Sequence, residues 1–218
     1  MLKKAVVLLS GGIDSSTALY IAKKKGYKCF PLIFDYGQRQ NREISSAKTI
    51  SRRAGLPYTL LKINLPWKGS SLIDECIDIP RKRKKGIPST YVPARNTIML
   101  SFALSFAEST KASGIFIGAH TEDYSGYPDC KPNYFKAFEK VKNLGTKDGK
   151  KIKIVTPLIN KTKAEIIKIG KELGVPYDLT WSCYKGGKKP CGVCDSCYYR
   201  ARGFRDAGLK DPLTYKYQ

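Results

Sequence analysis

The chain has 218 residues, 42% of them apolar, with 14 Tyr, 8 Phe and 2 Trp, enough for one sizeable core and too apolar for a disordered chain. Forty basic residues against eighteen acidic ones leave a charge of +22, with Lys outnumbering Arg thirty to ten; that balance favours anionic partners, nucleotides or RNA, and says nothing about fold. No run reaches the roughly 18 apolar residues of a membrane span. No small-residue cleavage pattern follows Lys3 and Lys4, and the single histidine, His120, argues against a Ser-His-Asp triad, so a cytoplasmic protein is expected.

Residues 5–9 are predicted to form a buried strand and 15–25 a helix closed by Gly26. A second strand follows at 29–34, a helix at 42–54 ended by Gly55 and Pro57, and a third strand at 58–63. Residues 64–93 are irregular, with four prolines and a basic run at 81–85 best taken as a solvated loop. A long helix is predicted at 95–111, a short strand at 115–118, a helix at 132–144, an extended stretch at 152–157 and a last helix at 162–173. Strands alternating with helices over short links predict an α/β fold with a parallel sheet and helices on both faces, Rossmann-like. Ligands of such sheets bind beyond the carboxyl ends of the strands, which directs attention to residues 10–15, 35–39 and 118–130.

Ser10-Gly11-Gly12-Ile13-Asp14-Ser15 lies between the first strand and its helix. Two glycines permit a sharp turn and close backbone approach, two serines offer hydroxyls, and the helix start offers free N–H groups and the positive end of its dipole. The result is an anion cradle without the Gly-Lys-Ser/Thr ending of a Walker A loop. A plain strand-to-helix turn capped by Asp14 or Ser15 is the structural alternative.

Seven cysteines is an odd number, and Cys183, Cys191, Cys194 and Cys197 crowd the last sixth of the chain as C-x7-C-x2-C-x2-C. That distribution points to a metal in a reducing compartment rather than to disulfides. Four thiolates can close a tetrahedral zinc site, with Lys185, Lys188 and Lys189 helping to keep them deprotonated; free thiols or an iron–sulfur cluster are the other readings. Cys29 and Cys76 read as ordinary core or loop residues. The segment 181–218 is accordingly set apart as a small zinc-binding unit packed on a main domain of residues 1–180.

The loop at 10–15 resembles the pyrophosphate loop of the N-type ATP pyrophosphatases, the PP-loop or adenine nucleotide alpha hydrolase type. With Trp181-Ser182-Cys183-Tyr184 and Pro190-Cys191-Gly192-x-Cys194-Asp195-Ser196-Cys197, it is similar to the 7-cyano-7-deazaguanine synthase family. Asp35-Tyr36-Gly37-Gln38-Arg39, Val92-Pro93-Ala94-Arg95-Asn96, Ser125-Gly126-Tyr127-Pro128-Asp129-Cys130 and Lys161-Thr162-Lys163-Ala164-Glu165 agree with it, so the resemblance covers nearly the whole chain. Gln40 stands where the family usually has His.

This resemblance implies a ligase. ATP would adenylate 7-carboxy-7-deazaguanine, ammonia would give the amide, and a second ATP would activate the amide oxygen so that the nitrile forms, for queuosine or archaeosine synthesis. ATP would lie on Leu9, Ser10, Gly11, Gly12, Ile13, Asp14, Ser15, Ser16, Thr17, Ala18 and Leu19. Asp14 would also hold Mg²⁺, and Arg95 and Lys163 would stabilise phosphate charge. Gln38, Arg39, Tyr127 and Asp129 would recognise the deazaguanine, with Asp129 accepting from its N1–H and amino group; Zn²⁺ would lie on the four cysteines. No glutaminase unit fits within 218 residues, so free ammonia is expected, as is a homodimer. His120 is expected to be a loop residue. A tRNA-modifying enzyme on the same scaffold, of thiolation or lysidine type, is the other reading; direct tRNA binding is not expected, although the charge would suit it.

Overall fold

The computed structural model describes residues 2–80, 86–120 and 126–217. The basic run at 81–85 and the acidic pair Glu122 and Asp123 lie outside the described residues. Chain order runs β1 (Lys4–Leu8), α1 (Ile13–Lys24), β2 (Lys28–Asp35), α2 (Arg42–Arg53), β3 (Thr59–Lys62), α3 (Arg95–Thr110), β4 (Gly114–Phe116), α4 (Pro132–Gly145), β5 (Lys153–Val155), α5 (Lys163–Glu172) and α6 (Asp195–Asp206). The expected elements thus form within a residue or two of their predicted ends. The exception is α6, which lies where only a cysteine knuckle was expected.

All strand pairs are parallel, in the order β3-β2-β1-β4-β5. Alternate residues of β1 face opposite layers. Val6 and Leu8 join Leu100, Ala103, Leu104 and Phe138 under α3 and α4. Ala5, Val7 and Leu9 join Leu19, Ala22, Ala47 and Ile50 under α1 and α2. A sheet buried on both faces explains why its strands read as continuous apolar runs. The strand order reverses at β1, so the crevice between the ends of β1 and β4 is where a ligand belongs. No helix among the described residues is long and apolar enough to cross a membrane.

The C-terminal segment is stitched to the sheet domain. The Trp181 N–H donates to the Gly11 carbonyl at 2.9 Å. Phe204 of α6 shares a core with Ile13, Ile166 and Ile167. Arg200 of α6, 1% exposed, donates to the Thr180 hydroxyl at 2.7 Å and the Tyr177 carbonyl at 3.0 Å.

Candidate active site

A cavity of about 320 Å³ opens at the crevice, within the usual range of roughly 300–1,000 Å³ for small-molecule sites. Its floor is the loop after β1. Gly11 has φ +82°, and a Cβ there would collide with the Glu43 carbonyl and lie 2.7 Å from the Ala47 nitrogen of α2. Gly118, at the end of β4, is equally constrained, since its Cβ would lie 2.7 Å from the Asp14 carbonyl carbon. Gly12 has room for a methyl group, so close approach is the work of Gly11 and Gly118 rather than of the Gly-Gly pair.

No side chain caps α1: Gly12 is its N-cap, and neither Asp14 nor Ser15 takes the capping role. The Ser15 hydroxyl instead accepts the Ser10 N–H at 3.2 Å and meets the Ser10 hydroxyl at 3.0 Å, which cross-braces the loop. Uncapped first-turn amides beside two hydroxyls make an anion site.

Leu9, Ser10, Gly12, Ile13, Asp14 and Ser15 line the cavity. Gly11 supports the loop from beneath. Ser16, Thr17, Ala18 and Leu19 point into the protein instead. Ser16 donates to the Gly12 carbonyl at 2.7 Å and Thr17 to the Ile13 carbonyl at 2.8 Å, while Ala18 and Leu19 are core.

Two sequence-distant candidates meet here. Lys163, at the start of α5, donates to both carboxylate oxygens of Asp14, at 2.7 and 2.8 Å. Burial alone would raise the Asp14 carboxyl, but Lys163 and His120 hold it well below the usual carboxylate range. His120 is no bystander. It is 2% exposed, lines the cavity, and its Nε2 lies 3.0 Å from Lys163 Nζ. The same Nε2 lies 3.5 Å from Asp14 Oδ2, so the ring meets both partners of the ion pair: unprotonated there it accepts from the Lys163 ammonium, and protonated there it faces the carboxylate. Its place just past β4 was the available signal.

The opposite wall comes from the loop after β2 and the start of α3. Gln38, Arg39, Arg95 and Tyr127 all line it. Ala94, in a left-handed conformation at φ 52°, turns the chain into α3 and delivers Arg95 to the cavity. Arg95 Nη1 donates to the Tyr36 hydroxyl at 3.2 Å. Arg39 Nη1 donates to the Ser71 and Ile77 carbonyls at 3.2 and 2.9 Å and so pins the irregular segment over this wall. Gln38 is buried: Oε1 accepts the Tyr36 N–H at 2.8 Å and Nε2 donates to Glu43 at 3.2 Å. Asp129 is elsewhere. It does not line the cavity, and its Oδ2 accepts the Asn96 N–H at 3.0 Å beneath α3. Glu43, in the first turn of α2, lines the cavity and went unnoticed in the sequence.

The four cysteine sulfurs of the C-terminal cluster are buried and lie within 4.8 Å of one another. Cys191 and Cys197 are 3.9 Å apart, close to the roughly 3.8 Å edge of a tetrahedron with 2.3 Å Zn–S bonds. Hydrogen bonds from the Cys194 and Cys197 thiols lower Cys183 and raise the two donors, so the sulfurs converge on one centre where a metal would displace the thiol protons. The donor set, all sulfur and closed from water, fits a structural zinc.

Residues 4–208 match the family described as Queuosine biosynthesis protein QueC. The chain belongs to the QueC family. Its relatives include the 7-cyano-7-deazaguanine synthase of Nostoc sp., 52% identical over 98% of both chains. Another is the 7-cyano-7-deazaguanine synthase of Thermoplasma acidophilum, 51% identical over 98% of this chain and 92% of its own. The fold is shared with NMN synthetase from Francisella tularensis, with a TM-score of 0.53 at 15% identity, covering 96% of this chain and 79% of that one. This QueC enzyme therefore carries a PP-loop fold and a four-cysteine cluster in one body.

Proposed function

We propose that the chain makes 7-cyano-7-deazaguanine from 7-carboxy-7-deazaguanine, ammonia and two ATP, releasing AMP and pyrophosphate each time. The observation that carries this reading is the uncapped start of α1 and the Lys163–Asp14 pair sharing one cavity with Arg95 and Gln38.

A carboxylate is a poor electrophile. Its oxygen attacks the α phosphorus of ATP, the bond to the β phosphate breaks, and the acyl adenylate gains AMP as a leaving group. The α1 amides with Ser10 and Ser15 suit the departing pyrophosphate, since preorganised donors stabilise charge where it develops. Ammonia then forms the C–N bond, and AMP and a proton leave. In the second round the amide oxygen attacks ATP, and loss of AMP and two protons leaves the nitrile. His120, with Nε2 on Lys163, is placed to exchange protons through that ammonium. Arg95, presented by α3, offers a fixed cation to the phosphates or the carboxylate. Mg²⁺ would enter with the nucleotide. Asp14 alone does not make a site for it, because both oxygens are held by Lys163. Cys183, Cys191, Cys194 and Cys197 would hold zinc, which would fasten the C-terminal segment whose Trp181, Ser182, Tyr184 and Asp195 line the cavity.

The test is a reaction of the chain with ATP, Mg²⁺, ammonium and 7-carboxy-7-deazaguanine. Mass spectrometry should find the nitrile, and nucleotide chromatography AMP. ADP as the sole nucleotide product would overturn the mechanism.

A further inference from the structure

Three carboxylates line the cavity among the described residues: Asp14, Glu43 and Asp195. Asp14 is neutralised by Lys163. Asp195 opens α6 directly beside Cys194, where the positive end of the helix dipole holds it. Glu43 is different. Its Oε1 accepts from the Gln38 amide at 3.2 Å, and Gln40 also donates to its side chain. Neither amide carries charge, and an ionised carboxylate has about four lone-pair positions, so acceptor capacity remains.

Its setting points to a planar ligand with paired donors. Glu43 is fixed from behind: its own carbonyl packs against Gly11, which anchors the first turn of α2 to the phosphate loop. The rings of Tyr36 and Tyr127 line the same cavity. The charged or titratable groups near Glu43 are Arg95, from α3, and Tyr36, from the loop after β2. Arg95 favours the ionised carboxylate through its charge, while its Nη1 donates to the Tyr36 hydroxyl. The carboxylate is half-buried at the cavity wall, and desolvation there pushes its carboxyl up to about 7, with Arg95, Gln38 and Gln40 pulling it down. A ligand that brings two parallel N–H groups would restore what water supplied.

We propose that Glu43 reads the amidine edge of the substrate, the ring N–H and exocyclic amino group that a 7-deazaguanine shares with guanine. This rests on the substrate class given under the proposed function. Asp129, the acceptor expected from the sequence, does not line the cavity and takes the Asn96 N–H at the start of α3, whereas Glu43 faces the cavity from its wall.

The probe is 7-cyano-7-deazaguanine, compared by calorimetry with its 2-deamino analogue and with ATP. Glu43→Gln keeps the acceptor for Gln38 but sets an NH₂ against the ligand's donors. It should weaken binding of the 2-amino ligand by about 10- to 100-fold, the equivalent of one charged hydrogen bond. ATP binding should change less than twofold, and preference for the 2-amino over the 2-deamino ligand should disappear. A variant that keeps the wild-type preference, or that loses ATP binding by the same factor, overturns the proposal. Should Glu43→Gln fail to fold, the wild type decides: its 2-amino preference should shrink as pH falls from 8 to 6, and a constant preference overturns the proposal. Nitrile formation by the wild type is scored separately. Wild type that makes no nitrile defeats the substrate reading, whereas nitrile formation with unaltered Glu43→Gln selectivity defeats only the assignment of Glu43.

Discussion

Lys163 grips both carboxylate oxygens of Asp14 across 149 residues of sequence, joining the first turn of α5 to the first turn of α1. The pair closes the phosphate loop from the side, with His120 behind it.

Lys163→Ala should lower kcat by about 10²–10³, the usual cost of removing one preorganised charge from a reacting centre. It should also move a pH dependence. In the wild type Asp14 is held low, so its contribution to stability is present above the ordinary carboxylate range and lost as pH falls below it. Without Lys163 the carboxyl loses its largest downward pull and keeps only that of His120, so the loss of stability on acidification moves to higher pH. Urea midpoints between pH 3 and 7 would reveal the change of slope; parallel curves for the two proteins would refute it.

The two loop glycines should part company. Gly11→Ala puts a methyl group at φ +82° into the Glu43 carbonyl and the Ala47 nitrogen, with no flexible side chain to give way. A loss of several kcal/mol, or no folded protein, is expected, because a left-handed conformation alone costs an L-residue roughly 1–2 kcal/mol. Gly12→Ala has nothing nearer than 3.7 Å and should fold, with its effect confined to nucleotide affinity. Thermal melts and ATP titrations of both variants decide the matter.

The sheet and the phosphate loop were legible because both are local: apolar runs, glycine stops and a motif in strand–loop–helix context. Lys163 and Asp14 were legible as separate candidates, but their pairing is a product of topology. Glu43 and His120 were not, since a lone Glu in a helix and a lone His near two acids look like surface or loop residues. Only the strand order 3-2-1-4-5, which puts the ends of β1 and β4 side by side, gives their positions meaning. α6 was hidden because its buried side is Cys197, Arg200, Gly203 and Phe204, and a buried arginine breaks the apolar stripe by which helices are recognised.

Glu43 should leave a signature in stability. Its carboxyl is raised from 4.5 to about 7 in the fold, so between those values the folded protein holds a proton that the unfolded chain has lost. Stability from this group is complete below about pH 4.5 and is lost as pH rises through 7. Glu43→Gln should flatten that part of the profile while leaving the region below pH 4 unaltered. An unchanged slope between pH 5 and 7.5 would count against the desolvation of this carboxyl at the cavity wall.

Zinc should hold the C-terminal segment. Cys194→Ser should lose the metal and lower the melting temperature, while Cys29→Ser, in the core on β2, should keep a full complement. Elemental analysis distinguishes the two, and iron in the purified protein would exclude a zinc site.

The last prediction concerns the tie between that segment and the sheet domain when the metal is in place. Arg200 is 1% exposed, and its Nε and Nη2 meet the two oxygens of Asp211 at 2.8 and 2.9 Å, a bidentate pair. Tyr215 donates to the same carboxylate, so the tail after α6 is folded back onto it. A guanidinium cannot shed its charge when its partner is removed. Asp211→Ala would therefore leave a cation among Thr180, Tyr177 and Phe204 with only neutral acceptors, and breaking a buried pair in this way costs about 3–5 kcal/mol. Arg200→Met with Asp211→Leu, which removes both charges and keeps much of the volume, should recover a large part of that loss. Denaturant unfolding of the single and double variants, each checked for bound zinc, measures the coupling. A single Asp211→Ala variant with wild-type stability would mean that the tail contributes nothing to the seam.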